Sequence, residues 1–265
     1  MSELKTISLR GGDFSVKYYQ EGKGDRLVFL HSAGGLPGFT PELQALSEHY
    51  TVTAPILPGF GSSGVEHLHE DVQKLVFFGW DFVDAMKIDK AILVGHSFGG
   101  MMAAEMAATE PSRVKKLVLV APAGLYVKEH PMLDIWATTP PNLMKAAFHN
   151  PESPIAKAAM ATPTEHQAQV EAIVGLANAL STASRFLFPN GDRGLSERLY
   201  RIKAATLLLW GETDGIIPPQ HADEFKRLLT SAASVKIQRI AGAGHVMFPE
   251  APETSVKAIL DFCAA

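Results

Sequence analysis

KAILVGHSFGGMM, residues 90–102, carries a strand, a turn and a helix in immediate succession. Ala91 to Val94 is the short unbroken apolar run of a strand buried on both faces. Gly95, His96, Ser97, Phe98 and Gly99 follow and fit G-x-S-x-G, with Gly100 behind them. From Phe98 onward the residues are rich in Ala and Met, both good helix formers. Strand, glycine-flanked serine and helix is the context in which such a motif forms a nucleophile elbow. Ser97 then sits in a strained turn whose crowded backbone tolerates only the smallest neighbours, which accounts for Gly95 and Gly99. Its hydroxyl stands clear of the sheet, and the helix that follows aims its first amides at the same point. A phosphate-binding loop is the competing interpretation. It fails because neither G-K-[ST] nor G-x-G-x-x-G is present.

Length and composition set the frame around this stretch. With 265 residues, the chain suits one large α/β domain with room for an insertion. Apolar residues make up 46% and charged residues 20%, as in an ordinary globular protein. A formal net charge of −4 offers no electrostatic attraction for nucleic acid or an anionic membrane. Cys263 is the one cysteine, so no disulfide framework is expected. The first residues, MSELKTISLR, lack the apolar core of a signal peptide. No apolar run approaches the roughly 18 residues of a membrane span. A cytoplasmic location is therefore expected, with neither nucleic acid nor membrane as partner. Monomer and homodimer stay equally open.

In chain order, Thr6–Arg10 and Phe14–Gln20 alternate around Gly11-Gly12 and predict a β-hairpin. Arg26–His31 predicts a central strand that runs into Ser32-Ala33-Gly34-Gly35, a loop of small residues. A helix over Pro41–Tyr50 and a strand over Thr51–Ala54 come next. Pro55–Gly64 is too rich in Pro and Gly for either element. A helix from about Glu70 to Met86 leads to the elbow, and Lys116–Val120 is the next strand. This alternation implies a parallel sheet covered on both faces. The rhythm breaks after Ala121, and from Pro122 to about Tyr200 only helical segments separated by prolines are found. Thr162-Pro163-Thr164-Glu165 has a capping-box pattern, and Val170, Ile173, Val174 and Ala177 then share one apolar face. The alternation resumes with strands at Ala205–Trp210 and Ser234–Ile240, each followed by a helix. The expected division is a core of residues 1–121 and 201–265, with a helical cap of residues 122–200.

A serine hydroxyl needs a base at neutral pH. Of the ten histidines, His96 adjoins Ser97 in a turn so tight that its ring points elsewhere, and His31 has a structural place at a strand end. His67, His69, His130, His149 and His166 fall in polar surroundings that favour solvent, and His49 and His221 do likewise. His245 is different: it follows a strand within Ala241-Gly242-Ala243-Gly244, at the carboxyl edge where functional groups gather in an open α/β sheet. Its imidazole needs a buried carboxylate to fix the tautomer. Asp214 and Glu212 both follow the Ala205–Trp210 strand, with Asp214 favoured by its deeper place in the turn. Asp192 in NGDRG reads as a turn former. The oxyanion of an acyl intermediate needs two amides: Phe98 supplies one, and Ala33 or Gly34 the other.

These stretches together resemble the α/β-hydrolase family over essentially the whole chain. The resemblance is carried by His31-Ser32-Ala33-Gly34-Gly35, Pro58-Gly59-Phe60-Gly61-Ser62-Ser63, Gly95-His96-Ser97-Phe98-Gly99-Gly100, Trp210-Gly211-Glu212-Thr213-Asp214 and Gly244-His245, with Glu250 and Pro252 matching residues usual after the family histidine. It implies an eight-stranded, mostly parallel sheet, a cap over the site, and Ala33 as the second oxyanion amide. Two departures are Ser32, where glycine is usual, and Ile56, where Asp is common before Leu-Pro-Gly.

The expected activity is a serine esterase with Ser97, Asp214 and His245 as catalytic residues and Ala33 and Phe98 as the oxyanion hole. It acts on small to medium apolar or aromatic esters without metal or organic cofactor. The cap offers Tyr126, Met132, Trp136, Met144, Phe148, Met160, Phe186 and Phe188, most of them expected in its own core. Ser32, Gly34, Trp136, Phe148, Phe186 and Val246 are the candidates to line a pocket. Carbon–carbon hydrolases of ring-cleavage products are the first alternative. They usually carry Asn before the serine and Trp after the histidine, where this chain has His96 and Val246; Arg185 or Arg193 could still bind a carboxylate. Lactonases and thioesterases share the same residues. A ligand receptor on the scaffold is the non-enzymatic alternative.

Overall fold

A computed structural model describes residues 2–61, 71–161, 163–188 and 192–265. Ser62, Ser63, His67, His69, Glu70, Thr162 and the side chain of Met160 lie outside the described residues.

The eight strands are β1 (Lys5–Leu9), β2 (Phe14–Glu21), β3 (Arg26–Leu30), β4 (Thr51–Pro55), β5 (Ala91–His96), β6 (Val114–Val120), β7 (Ala205–Gly211) and β8 (Val235–Ile240). They form one sheet in the order β1-β2-β4-β3-β5-β6-β7-β8. β2 runs antiparallel to both neighbours, and β3 to β8 are parallel. The hairpin expected around Gly11-Gly12 is present, its turn wound into a short 3-10 segment.

The central strands become continuously apolar past their first residues, as at residues 27–30, 91–94, 117–120 and 207–210, because both faces are covered there. Leu93, Leu117, Leu119, Leu208 and Trp210 pack toward α2 (Val72–Ala85), α3 (Phe98–Thr109) and α7 (His221–Leu228). The alternate residues Ile92, Val94, Val118, Val120, Leu207 and Leu209 pack toward α1 (Pro41–Ser47) and α9 (Pro252–Ala264). A strand period of two thus sorts one continuous apolar run into two cores. A one-turn helix, α8 (Met247–Glu250), precedes α9.

Between β6 and β7 the described residues contain no strand, as expected, but three helices: α4 (Pro140–Ala147), α5 (Pro154–Met160) and α6 (His166–Leu187). α6 starts later than the capping-box pattern predicts. Glu165 is its N-cap, with its own carboxylate accepting from the Ala168 amide at 2.8 Å, so the cap falls at the last residue of that pattern. The apolar face of α6 divides in two. Ala179, Ala183, Phe186 and Leu187 are buried in the main core, whereas Val170, Ile173, Val174 and Leu176 stay 41%, 65%, 50% and 43% exposed.

A charged pair ties the segment to the core. Glu105 of α3, 3% exposed, receives two hydrogen bonds from Arg198, Nε at 2.7 Å and Nη2 at 2.6 Å. Removing one partner of a buried pair leaves an uncompensated charge. Arg198→Met should therefore lower the free energy of unfolding by about 3 kcal/mol. A Glu105→Leu/Arg198→Met double variant should recover most of that loss, as read by urea denaturation.

Candidate active site

The turn after β5 places Ser97 at φ 55° and ψ −112°, in the left-handed region that a side chain ordinarily avoids. Neighbouring backbone holds it there. The Ser97 amide donates to the Val120 carbonyl at 2.8 Å, and the Ser97 carbonyl accepts from Met101 and Ala123, each at 3.0 Å. A Cβ on Gly95 would overlap the Gly99 carbonyl, and one on Gly99 would overlap the Leu30 carbonyl. The two glycines are therefore required by contact between β3, β5 and the first turn of α3.

Three strand ends converge here. Ser97 follows β5, Asp214 follows β7 and His245 follows β8; they are 7%, 4% and 6% exposed. The Ser97 hydroxyl donates to His245 Nε2 at 2.9 Å, and His245 Nδ1–H donates to Asp214 Oδ2 at 2.8 Å. The second carboxylate oxygen accepts the amides of Ile216 at 2.9 Å and Ile217 at 2.8 Å, which fixes the carboxylate plane. Glu212, the alternative acid, is exposed. This chain of donors can move the hydroxyl proton onto the imidazole while the carboxylate stabilises the resulting charge.

The Phe98 amide opens α3, and the Phe98 ring is buried between Phe60 and Phe186 at 5.6 and 5.7 Å. Ala33 is buried in the loop after β3, where the Gly35 amide closes a turn on the Ser32 carbonyl at 3.0 Å. Neither the Ala33 nor the Phe98 amide meets an acceptor among the described residues. The pocket candidates are spread over several places. Ser32 and Val246 line a cavity of about 480 Å³ with His31 and His96, whereas Trp136 borders a separate cleft with Phe188, Arg185 and Arg193. Phe148 and Phe186 are buried, and Gly34 is exposed.

Two neighbouring histidines hold the loops. His31 accepts the Leu57 amide at Nε2, 2.9 Å, while its Nδ1–H donates to the Ser32 carbonyl at 2.7 Å. His96 donates through Nε2 to the His245 carbonyl at 3.0 Å, and the two rings lie 5.1 Å apart. Burial lowers the His31 pKa to about 4. Burial, reinforced by the nearby His245, lowers that of His96 to about 3.

His221 corrects an expectation. Instead of facing solvent it is 1% exposed, its Nε2–H donating to the His130 carbonyl at 2.7 Å. The cause is the apolar face it shares with Ala222 and Phe225, which the i, i+4 spacing of His221 and Phe225 signals in the sequence. Sequence reasoning also assigned no role to Glu250. Its carboxylate accepts the Gly244 amide at 2.8 Å and the His149 amide at 2.9 Å, tying the His245 loop to the segment after α4. The last carbonyls of α4 add two further ties, Ala146 accepting from Gly215 and Ala147 from Val246. Asp192 caps its own turn through the Gly194 amide, as expected. Among the described residues no group of three or more His, Cys, Asp or Glu side chains is placed to hold a metal ion, and no helix is long and apolar enough to cross a membrane.

Comparison with known proteins agrees with this architecture. Residues 27–258 match the family model described as the alpha/beta hydrolase family. A 2-hydroxy-6-oxo-2,4-heptadienoate hydrolase of Pseudomonas putida is 26% identical, with 100% of this chain and 98% of the relative covered. A pimeloyl-[acyl-carrier protein] methyl ester esterase of Vibrio campbellii is 26% identical over 92% of this chain and 96% of its own length. The dihydrolipoyllysine-residue acetyltransferase component of an acetoin cleaving system from Cupriavidus necator is 28% identical over 87% of this chain, which spans only 62% of that longer protein.

Burial depresses three imidazoles, those of His31, His96 and His221, and the first two set most of a pH dependence of stability. The folded pKa values of His31 and His96, about 4 and 3, lie below the 6.5 of an unfolded histidine, so between these limits the unfolded chain binds protons that the folded chain refuses. Stability should fall by several kcal/mol as pH drops from 6.5 toward 4, at about 1.4 kcal/mol per pKa unit. Urea unfolding across that range should show the fall, with a shallower slope for His96→Asn.

Proposed function

The chain belongs to the alpha/beta hydrolase family, and from that premise we propose that it is a serine hydrolase that cleaves carboxylic esters of apolar or aromatic substrates through an acyl-enzyme. The observation that carries this reading is the unbroken hydrogen-bond chain from the Ser97 hydroxyl through His245 to Asp214, set on a strained turn beside two amides that meet no acceptor among the described residues. Ser97 attacks the ester carbonyl as His245 Nε2 takes its proton. Asp214 keeps Nδ1 protonated and stabilises the imidazolium. The amides of Phe98 and Ala33 bind the oxyanion. His245 then gives its proton to the departing alcohol, and a water activated by the same nitrogen releases the acid. Residues 122–200 serve as a lid over the core of residues 1–121 and 201–265. Its ties to the acid and histidine loops, through Ala146 and Ala147, support that role.

A second reading is hydrolysis of a ring-cleavage dienoate, supported by the name of the Pseudomonas putida relative. His96 and Val246, where that branch usually has Asn and Trp, favour the ester, as does the name of the Vibrio campbellii esterase.

Two assays separate these. p-Nitrophenyl acetate should be turned over faster than an aryl dienoate, and a fluorophosphonate should label Ser97, identified by peptide mapping. Ser97→Ala should lose on the order of 10⁴ to 10⁶ in kcat, and Asp214→Asn on the order of 10⁴. More than a tenth of wild-type activity in Ser97→Ala would remove that residue as nucleophile.

A further inference from the structure

We propose that Glu250, Thr213 and His149 form a clamp that positions His245 between Ser97 and Asp214, so that a stretch of the helical segment takes part in aligning the base. The proposal rests on the serine-hydrolase reading above and adds three positioning residues to it.

His245 stands on a loop between β8 and α8 that has no regular structure of its own. Its ring must meet a hydroxyl on one side and a carboxylate on the other, which demands that the loop be fixed to a fraction of an ångström. Close backbone packing supplies part of this. A Cβ on Gly244 would meet the Ala147 carbonyl at 2.6 Å and the His149 amide nitrogen at 2.9 Å, and a Cβ on Gly211, at the end of β7, would overlap the Gly244 carbonyl. The histidine loop therefore lies backbone to backbone between the strand that leads to Asp214 and the chain that leaves α4.

Glu250 fastens this stack. Its Oε2 accepts the Gly244 amide at 2.8 Å, one residue before His245. Its Oε1 accepts the His149 amide at 2.9 Å and the Asn150 amide at 3.4 Å. Each oxygen is committed to a different part of the chain. Thr213, the residue before Asp214, joins the acid side. Its amide and its hydroxyl both donate to the Ala243 carbonyl, at 3.1 and 3.0 Å. With its proton spent there, the hydroxyl oxygen accepts from His149 Nδ1–H at 2.9 Å. His149 thus reaches the histidine loop through its amide and Glu250, and the acid loop through its ring.

The residue types suit that task. Amides that approach one side chain from two sides need two acceptor oxygens, which a carboxylate has and a carboxamide lacks. Amide bonds to an ionised acceptor are also about twice as strong as neutral ones. None of the hydrogen bonds of Glu250, Thr213 or His149 reaches the Ser97 hydroxyl or the His245 ring, so all three act through the backbone of the two loops. Their loss displaces the base without altering what a substrate touches, and so lowers kcat and leaves KM in place.

The test compares Glu250→Gln, Glu250→Ala and Thr213→Val with the wild type, all as the full chain, on p-nitrophenyl butyrate. Active sites are counted by the stoichiometric release of p-nitrophenol from diethyl p-nitrophenyl phosphate. Glu250→Gln keeps the shape and gives up one acceptor, while Thr213→Val, at an exposed position, gives up only the hydroxyl and tests the clamp independently of the Glu250 variants. kcat per titrated site should fall about tenfold in Glu250→Gln, about a hundredfold in Glu250→Ala and about threefold in Thr213→Val, with KM within about twofold of wild type. The Glu250→Gln/Thr213→Val double variant should lose less than the product of the two single losses, because both act through His149. Fewer titratable sites, each with full kcat, would make these residues supports of the fold alone and overturn the proposal. A raised KM at unchanged kcat would assign them to substrate binding and overturn it equally. Both outcomes leave the hydrolase reading standing, whereas a wild type that releases p-nitrophenol from neither compound would overturn that reading and the clamp with it.

Discussion

A serine backbone held at φ 55° is the constraint on which the other features depend. Such a conformation costs on the order of 1–3 kcal/mol and persists only where the surroundings over-determine it. Here they do so through hydrogen bonds on both sides of the residue: Val120 takes its amide, while Met101 and Ala123 share its carbonyl. The close approach of β3, β5 and α3 that Gly95 and Gly99 permit adds a steric clamp. A relaxed turn at this place would carry the hydroxyl away from the sheet edge where β7 and β8 deliver their loops. Strain at Ser97 and convergence of three strand ends are thus one requirement stated twice.

The loops that meet Ser97 are fixed by backbone groups more than by packing. Asp214 is aimed by two amides two and three residues further on, so the carboxylate closes its own turn before it meets the imidazole. The His245 loop is held from below by the His96 ring and from the side by Glu250. Both loops also receive carbonyls from the last turn of α4. Helix C-terminal carbonyls have no partner within the helix. Spending them on the acid and histidine loops couples the helical segment to the site without any side chain that a sequence pattern would single out.

That explains where sequence reasoning reached and where it stopped. The central strands were legible because burial on both faces leaves each a short unbroken apolar run, and the elbow because a strained serine demands glycines at set positions. Residues from distant parts of the chain could be paired as Ser97, Asp214 and His245 because each follows a strand end. His221 escaped because a buried imidazole bonded to a carbonyl has no compositional mark, although its spacing from Phe225 was there to be used. The exposed half of α6 escaped for the opposite reason. Val170, Ile173 and Val174 have the period of a buried face, and periodicity records which residues share a side without saying what covers it.

The histidines around the site divide by the work that burial assigns them. His31 and His96 are pushed toward the neutral form by loss of solvent, and each uses an N–H to hold a carbonyl of the neighbouring backbone. Neutrality matters most at His96, whose ring is 5.1 Å from that of His245. A cation there would oppose formation of an imidazolium at His245 by like-charge repulsion in a poorly solvated site. With His96 neutral, the nearest formal charge to the His245 ring is the Asp214 carboxylate at 2.8 Å, which favours that imidazolium. The same desolvation that makes His96 costly to protonate therefore leaves the His245 ring between one neutral imidazole and one carboxylate.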